Sequence, residues 1–278
     1  MNKRKYILLF VLIILSLWMW EVFTTTIHIN KNFILIASIG VVSSFIGTLA
    51  GGGGLITLPA MMLAGIPIQT SIATNKFATG VATLSSIFYL VYHKQLKLRT
   101  IILHLSIAVS GGIVGALITA HVSEKAMTVA AIILLLFSLI ITLKNNSLFQ
   151  AIQISEASSQ HKISRHIIPF CIAVYDGGFG PASSTFSIVY YMKQQFAYVK
   201  AVQLTRVLIF GSCLGAFTVF YQTGFFQWPI AISMAAGSII GAQIGMIVLP
   251  KIPIKTARIL LISVIFLLIT QMFYQVFH

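Results

Sequence analysis

Residues 43–59 read Ser43-Ser44-Phe45-Ile46-Gly47-Thr48-Leu49-Ala50-Gly51-Gly52-Gly53-Gly54-Leu55-Ile56-Thr57-Leu58-Pro59, four consecutive glycines between two apolar runs. Each glycine costs roughly 1 kcal/mol against alanine inside a helix, so the run predicts a break between two helical arms. In hydrocarbon a break frees N–H and C=O groups that only protein, water or a ligand can satisfy, so a break at membrane depth lines something. A second interruption, Asp176-Gly177-Gly178-Phe179-Gly180-Pro181, lies between short apolar runs in the other half. Paired interruptions at corresponding places in two halves are the sequence mark of a transporter's binding site.

The chain is 58% hydrophobic and 8% charged over 278 residues, a balance that a water-soluble fold of this size cannot hide from solvent. It reads as an all-α polytopic membrane protein. Apolar runs long enough to span lie at 6–22, 68–92, 100–120, 126–143, 201–221, 228–249 and 259–277, and the two glycine-broken segments at 33–64 and 167–192. No small-residue cleavage site follows Trp18-Met19-Trp20-Glu21, so the first run is expected to be an uncleaved span.

A net charge of +14 would suggest nucleic acid in a soluble protein; here topology accounts for it and no nucleic-acid partner is expected. With the N-terminus cytoplasmic, Lys3, Arg4, Lys5, Lys94, Lys97, Arg99, Lys144, Lys162, Arg165, Lys193, Lys200, Lys251, Lys255 and Arg258 all fall inside, and only Lys31 and Lys125 outside. The expectation is a multi-pass protein of a prokaryotic plasma membrane, N-terminus in and C-terminus out.

After an additional N-terminal helix (1–30), two units share one plan: repeat 1 (33–143) and repeat 2 (166–278), each a glycine-broken re-entrant segment followed by three transmembrane helices, joined by a polar cytoplasmic linker (144–165). Residue echoes support the pairing, among them Ser110-Gly111-Gly112-Ile113-Val114-Gly115-Ala116 and Ala236-Gly237-Ser238-Ile239-Ile240-Gly241-Ala242. The units start on opposite sides, which makes them inverted repeats. The arms 55–64, 167–175 and 181–192 are too short to span, whereas 33–50 is long enough, so re-entrance is the weaker expectation in repeat 1.

Lys76 and Arg206 occupy matching places early in the first span after each break. A cation near the bilayer centre costs roughly 2.5–3.5 kcal/mol, and anion binding would explain two of them; snorkelling to the headgroups is the competing account. Lys76, Thr79, Gly80, Thr83 and Ser86 form a polar stripe at helical spacing, and Gln203 and Arg206 begin the corresponding face. Half-helices after Gly54 and Gly180 would aim their N–H groups inward, which again favours an anion. The expected substrate-binding set is therefore Gly51, Gly52, Gly53, Gly54, Lys76, Thr79, Thr83, Gly177, Gly178, Gly180 and Arg206. Asp176 is a candidate to carry a coupling proton, to pair with Arg206 or to cap the following half-helix.

Cys171 and Cys213 lie in apolar segments with no metal-ligand spacing, and neither a phosphate loop nor a nucleophile elbow is present in the sequence. No metal, no cofactor and no enzymatic activity are expected.

The run Gly47-x-x-x-Gly51-Gly52-Gly53-Gly54-Leu55-Ile56-Thr57-Leu58-Pro59, followed by Gly65-Ile66-Pro67 and Ala73-Thr74-Asn75, resembles the first-repeat signature of the TauE/SafE sulfite exporter family, the TSUP transporters. Gly177-Gly178-Phe179-Gly180-Pro181 is similar to a worn form of the second. The resemblance covers about 33–277. It implies outward transport of sulfur-containing anions, sulfite or organosulfonates, by a membrane protein with two glycine-rich repeats. The added N-terminal span and Lys76 after Thr-Asn depart from the family pattern.

Outward movement needs no coupling residue: at about −100 mV inside, an exiting monovalent anion gains about 2.3 kcal/mol, a gradient of roughly 50-fold. The rival classes are a translocator of lipid-linked phosphates and a non-transporting membrane sensor or assembly factor.

Overall fold

The structure, a computed structural model, describes residues 31–96, 98–123 and 164–252, with isolated positions at 126, 129, 133, 256 and 259. The predicted span at 6–22 lies outside them. Those at 126–143 and 259–277 and the linker 144–165 lie almost wholly outside.

Among the described residues the chain is all helical. Helix α1 (Lys31–Ala50) ends where Gly51 takes φ +85°, and α2 (Gly53–Leu63) starts two residues on. Only glycine enters that left-handed region without strain, so the break falls at Gly51–Gly52, and Gly53 already belongs to the second arm. Gly65 then turns the chain at φ +79° into α3 (Ile68–Tyr92), with Pro67 as N-cap. Helix α4 (Leu98–Ala120) follows. In the second half α5 (Ser164–Gly178) ends before Gly180, at φ +96°, and α6 (Ser183–Lys193) leads through Gln195 into α7 (Tyr198–Phe220) and α8 (Trp228–Val248).

Among the described residues, four helical stretches are long and apolar enough to cross a membrane: Phe33–Ala50, Ile101–Ala120, Tyr198–Thr223 and Trp228–Val248. Helix α3 is longer than any of these except the third, at 25 residues, but Thr70, Ser71, Thr74, Asn75 and Lys76 lower its hydropathy; all five are buried. At 11 residues each, α2 and α6 rise only about 16 Å and cannot cross alone. The first arm of the first broken segment is thus a full-length helix, and only its second arm is short.

The packing is inside-out relative to a soluble protein. Ile34, Phe88, Ile118 and Ile240 are exposed on the outer faces, while Lys76, Asp176 and Arg206 are 1%, 4% and 5% exposed in the interior. Helix α1 lies along α8 and α5 along α4, each pair running in parallel. Glycines bring these backbones together: a Cβ on Gly237 would stand 1.9 Å from Ala37 O, and one on Gly115 1.9 Å from Val174 O. The two pairs are joined through α3 and α7, which cross where Gly80 meets Cys213.

This geometry makes Gly115→Leu and Gly237→Leu strongly destabilising, by at least the 1–3 kcal/mol or so of ordinary overpacking. A lowered unfolding midpoint in detergent would report it; an unchanged midpoint in both variants would contradict the close approach.

Candidate functional site

The two breaks meet in the middle of the fold. A Cβ on Gly51 would fall 2.6 Å from Thr185 N, and one on Gly54 3.4 Å from Pro181 Cα, so each tip rests on the backbone of the other. Thr185 Oγ1 donates across the junction to Ala50 O at 3.3 Å. Beside this crossing lies a cavity lined by α1 (Ser43, Ser44, Gly47), the turn residue Gly51, α2 (Gly53, Gly54, Thr57), α3 (Asn75, Lys76, Thr79, Ala82, Thr83), the second break and α6 (Asp176, Gly180, Ser183, Ser184) and α7 (Arg206, Ile209, Cys213). The first turns of both short helices therefore border it. Leu55 N–H already donates to Gly52 O and Ser183 N–H to Gly180 O, which leaves the N–H groups of Gly53, Gly54, Ser184 and Thr185 beside the cavity, and neither N-cap, Gly52 or Ala182, supplies a side-chain bond.

Lys76 and Arg206 are each the ninth residue of their helices, α3 and α7. Each also reaches the carbonyl end of a first arm in the opposite half. Lys76 Nζ donates to Asp176 O at the end of α5, and its ammonium stands 3.5 Å from Asp176 Oδ1. Arg206 Nη2 donates to Gly47 O at 2.7 Å near the end of α1, with Nη1 3.5 Å from Thr48 Oγ1. Gly47 precedes Gly51, and Asp176 precedes Gly180, by the same four positions. The halves differ in what stands there: glycine in one, a carboxylate in the other.

Asp176 is held from several sides. Ser183 Oγ donates to Oδ1, Ser212 Oγ to Oδ2, and Cys213 Sγ lies 3.8 Å from Oδ2. Its partner is Lys76, and of the three candidate roles the pairing with Arg206 does not occur. Nor does Asp176 cap α6: the N-cap is Ala182, and the carboxylate meets the Ser183 hydroxyl instead of a backbone N–H. Snorkelling fails for both cations, whose side chains are buried in the interior.

Arg206 stands apart electrostatically. No carboxylate among the described residues pairs with it, and its Nε is buried without a hydrogen-bond partner. Arg206 borders the polar cavity, and leaving a buried charged donor unmade is costly.

Of the expected residues, Gly51, Gly53, Gly54, Lys76, Thr79, Thr83, Gly180 and Arg206 border the cavity together with Asp176. Gly52 is the N-cap of α2 and is not part of the lining. Gly177 and Gly178 do not reach it; they close the last turn of α5 against Gly112 and Gly115 of α4. Ser86 bonds within its own helix to Ala82 O, and Gln203 bonds to Gln95 Oε1 at 2.6 Å, both away from the cavity. Ser43, Ser44, Thr57, Asn75, Ser183 and Ser184 escaped the sequence reading. Spacing held a signal for some: Ser43 and Gly47 share one face of α1 with the turn residue Gly51 four positions further on, and Ser183-Ser184 open α6 as Gly53-Gly54 open α2.

The fold and cavity define a helical membrane protein of the transporter class, with a polar, positively biased site built from interrupted helices. A sequence profile described as "Sulfite exporter TauE/SafE" matches residues 36–272, and the chain belongs to that family. It is 32% identical over 214 residues to "Probable membrane transporter protein ORF9" of Sinorhizobium sp, covering 73% of this chain and 78% of that one. A "Probable membrane transporter protein" of Haemophilus influenzae is 32% identical over 213 residues, 74% of this chain and 81% of its own. "Probable membrane transporter protein YfcA" of Escherichia coli is 27% identical over 215 residues, 74% and 77% of the two chains. No solved structure matches significantly.

Lys76→Met would strand Asp176 as an unpaired buried carboxylate, at an expected cost of about 3–5 kcal/mol. Thermal unfolding in detergent should show the loss, and adding Asp176→Asn should recover most of it. A double variant no more stable than Lys76→Met would contradict the pairing.

Proposed function

We propose that the chain is a secondary transporter that moves small sulfur-containing anions, sulfite or organosulfonates, outward across a prokaryotic plasma membrane. The observation that carries this reading is Arg206: 5% exposed, on the cavity, without a carboxylate partner and with Nε unmade. Two half-helix N-termini add partial positive charge at the same place, and the family's description supplies the sulfur anion. The cavity gives the centres of water-sized groups about 40 Å³, against the roughly 10–15 Å³ that one water needs. That suits a small oxyanion better than a long-chain phosphate.

In this reading repeat 1 (33–143) and repeat 2 (166–278) are inverted copies, preceded by a helix in 1–30 and joined by a cytoplasmic linker at 144–165, with the N-terminus inside and the C-terminus outside. The exchange of partners supports the pairing: Lys76 of the first half reaches α5 of the second, and Arg206 of the second reaches α1 of the first. Lys76, tied to Asp176, orders the site, and Arg206 supplies the charge that meets the anion. Thr79, Thr83 and the backbone at Gly51, Gly53 and Gly54 complete it.

The test is efflux from proteoliposomes loaded in turn with sulfite, sulfoacetate, thiosulfate, sulfate and chloride under a potassium-diffusion potential. Potential-driven efflux of a sulfur anion, reduced at least about tenfold in Arg206→Gln, is expected from the loss of a charged hydrogen bond. Equal efflux from a folded variant would remove Arg206 from the site. No efflux of any of these anions would overturn the reading in favour of lipid-linked phosphates or a protein that does not transport.

A further inference from the structure

The cavity's own charges restrict which anion it accepts. Lys76 and Arg206 border it as cations and Asp176 as a carboxylate, so its side chains sum to one positive charge when all three are ionised. Among the described residues, five helices supply the groups around Asp176. Helix α3 brings Lys76; α7 brings Arg206, the thiol of Cys213 and the hydroxyl of Ser212; α6 brings Ser183; and α4 brings Gly112 and Gly115. On α5 itself the neighbouring Tyr175 donates its hydroxyl to Pro181 O at 2.8 Å.

All three charged side chains are buried, so water contributes little to balancing the charge of an occupant. A monovalent anion balances the side-chain charge of the cavity. A divalent anion of the same size leaves it one charge negative beside a buried carboxylate, which is heavily penalised at the low effective dielectric of such a site. The remedy lies within the structure, since a proton on Asp176 removes the excess. The protonated carboxyl keeps an acceptor oxygen for one of its serines and turns the other oxygen into a donor, which a hydroxyl accepts.

We propose that Asp176 sets the valence of the transported anion: with Asp176 ionised the cavity takes monovalent oxyanions of the sulfonate type, and a divalent oxyanion enters only together with a proton on Asp176. The proposal rests on the small-anion reading above and deepens it. It gives the carboxylate at position 176, where the other half has Gly47, a function that stapling helices together does not require.

Methanesulfonate and thiosulfate are the probes, because they have the same tetrahedral outline and differ by one charge. Titration calorimetry of the full-length protein at neutral pH, repeated in buffers of different ionisation enthalpy, reads affinity and proton uptake together. Wild type should bind methanesulfonate at least about tenfold more tightly than thiosulfate, the size of one unit charge acting across a cavity at an effective dielectric near 20. Thiosulfate binding should take up a proton and methanesulfonate binding none. Asp176→Asn should lose the proton uptake and bring thiosulfate level with methanesulfonate or ahead of it.

Equal affinities in wild type, or thiosulfate binding without proton uptake, would overturn the proposal whether or not the Asn variant folds. An unchanged preference in a folded Asp176→Asn would do the same. If neither anion binds, the small-anion reading itself falls and the proposal with it, a result distinct from binding without discrimination.

Discussion

A helix that stops inside a membrane leaves its last carbonyls without partners, and the cost of each is several kcal/mol unless something donates to it. Here the donors are two cations supplied from elsewhere in the chain, Lys76 Nζ to Asp176 O and Arg206 Nη2 to Gly47 O. Tyr198 Oη to Leu49 O and Thr185 Oγ1 to Ala50 O assist at the first break. The arrangement answers two requirements at once. Negative helix ends attract the cations and satisfy their need for acceptors, and buried cations would otherwise be prohibitively expensive. Without them neither interruption could sit where it does, and the first turns of α2 and α6 would not border a common cavity.

The asymmetry between the two ends has chemical content. At the α5 end the cation meets a carboxylate as well as a carbonyl, and the charge is spent locally. At the α1 end the corresponding position is Gly47, and Arg206 keeps an unmade nitrogen. One end is therefore closed electrostatically and the other open, although the backbone geometry around Gly51 and Gly180 is alike, with both residues at strongly positive φ.

Much of this was legible in the chain. Four adjacent glycines announce a break at any burial, and the cations at 76 and 206 stand out against apolar neighbours because so few charges are present. The membership of the TauE/SafE family was likewise readable from Gly47 through Pro59. What the sequence could not convey was which helix faces which. Asp176 pairs with a lysine 100 positions away instead of Arg206, because α7 meets the carboxylate at Ser212 and Cys213, beyond Arg206, while the Lys76 side chain reaches it from α3. Gly177 and Gly178 look like a ligand nest in sequence and act as a helix-packing surface in space, because their neighbours are Gly112 and Gly115. Serines 43, 44, 183 and 184 are common helix and turn residues, and only their placement beside the breaks makes them lining groups. Helix α2 starts at Gly53, two residues before the expected Leu55, since a left-handed residue can be placed at several positions of a glycine run.

The contact of the two tips has a mechanical consequence. Gly51 lies against the backbone of Ser184 and Thr185, and Gly54 against that of Gly180 and Pro181, with no side chain between them to yield. A backbone-to-backbone seat of this kind acts as a bearing: sliding is permitted, compression is not. Neither tip can advance along its axis without pushing the other, so displacement of one short helix becomes displacement of both.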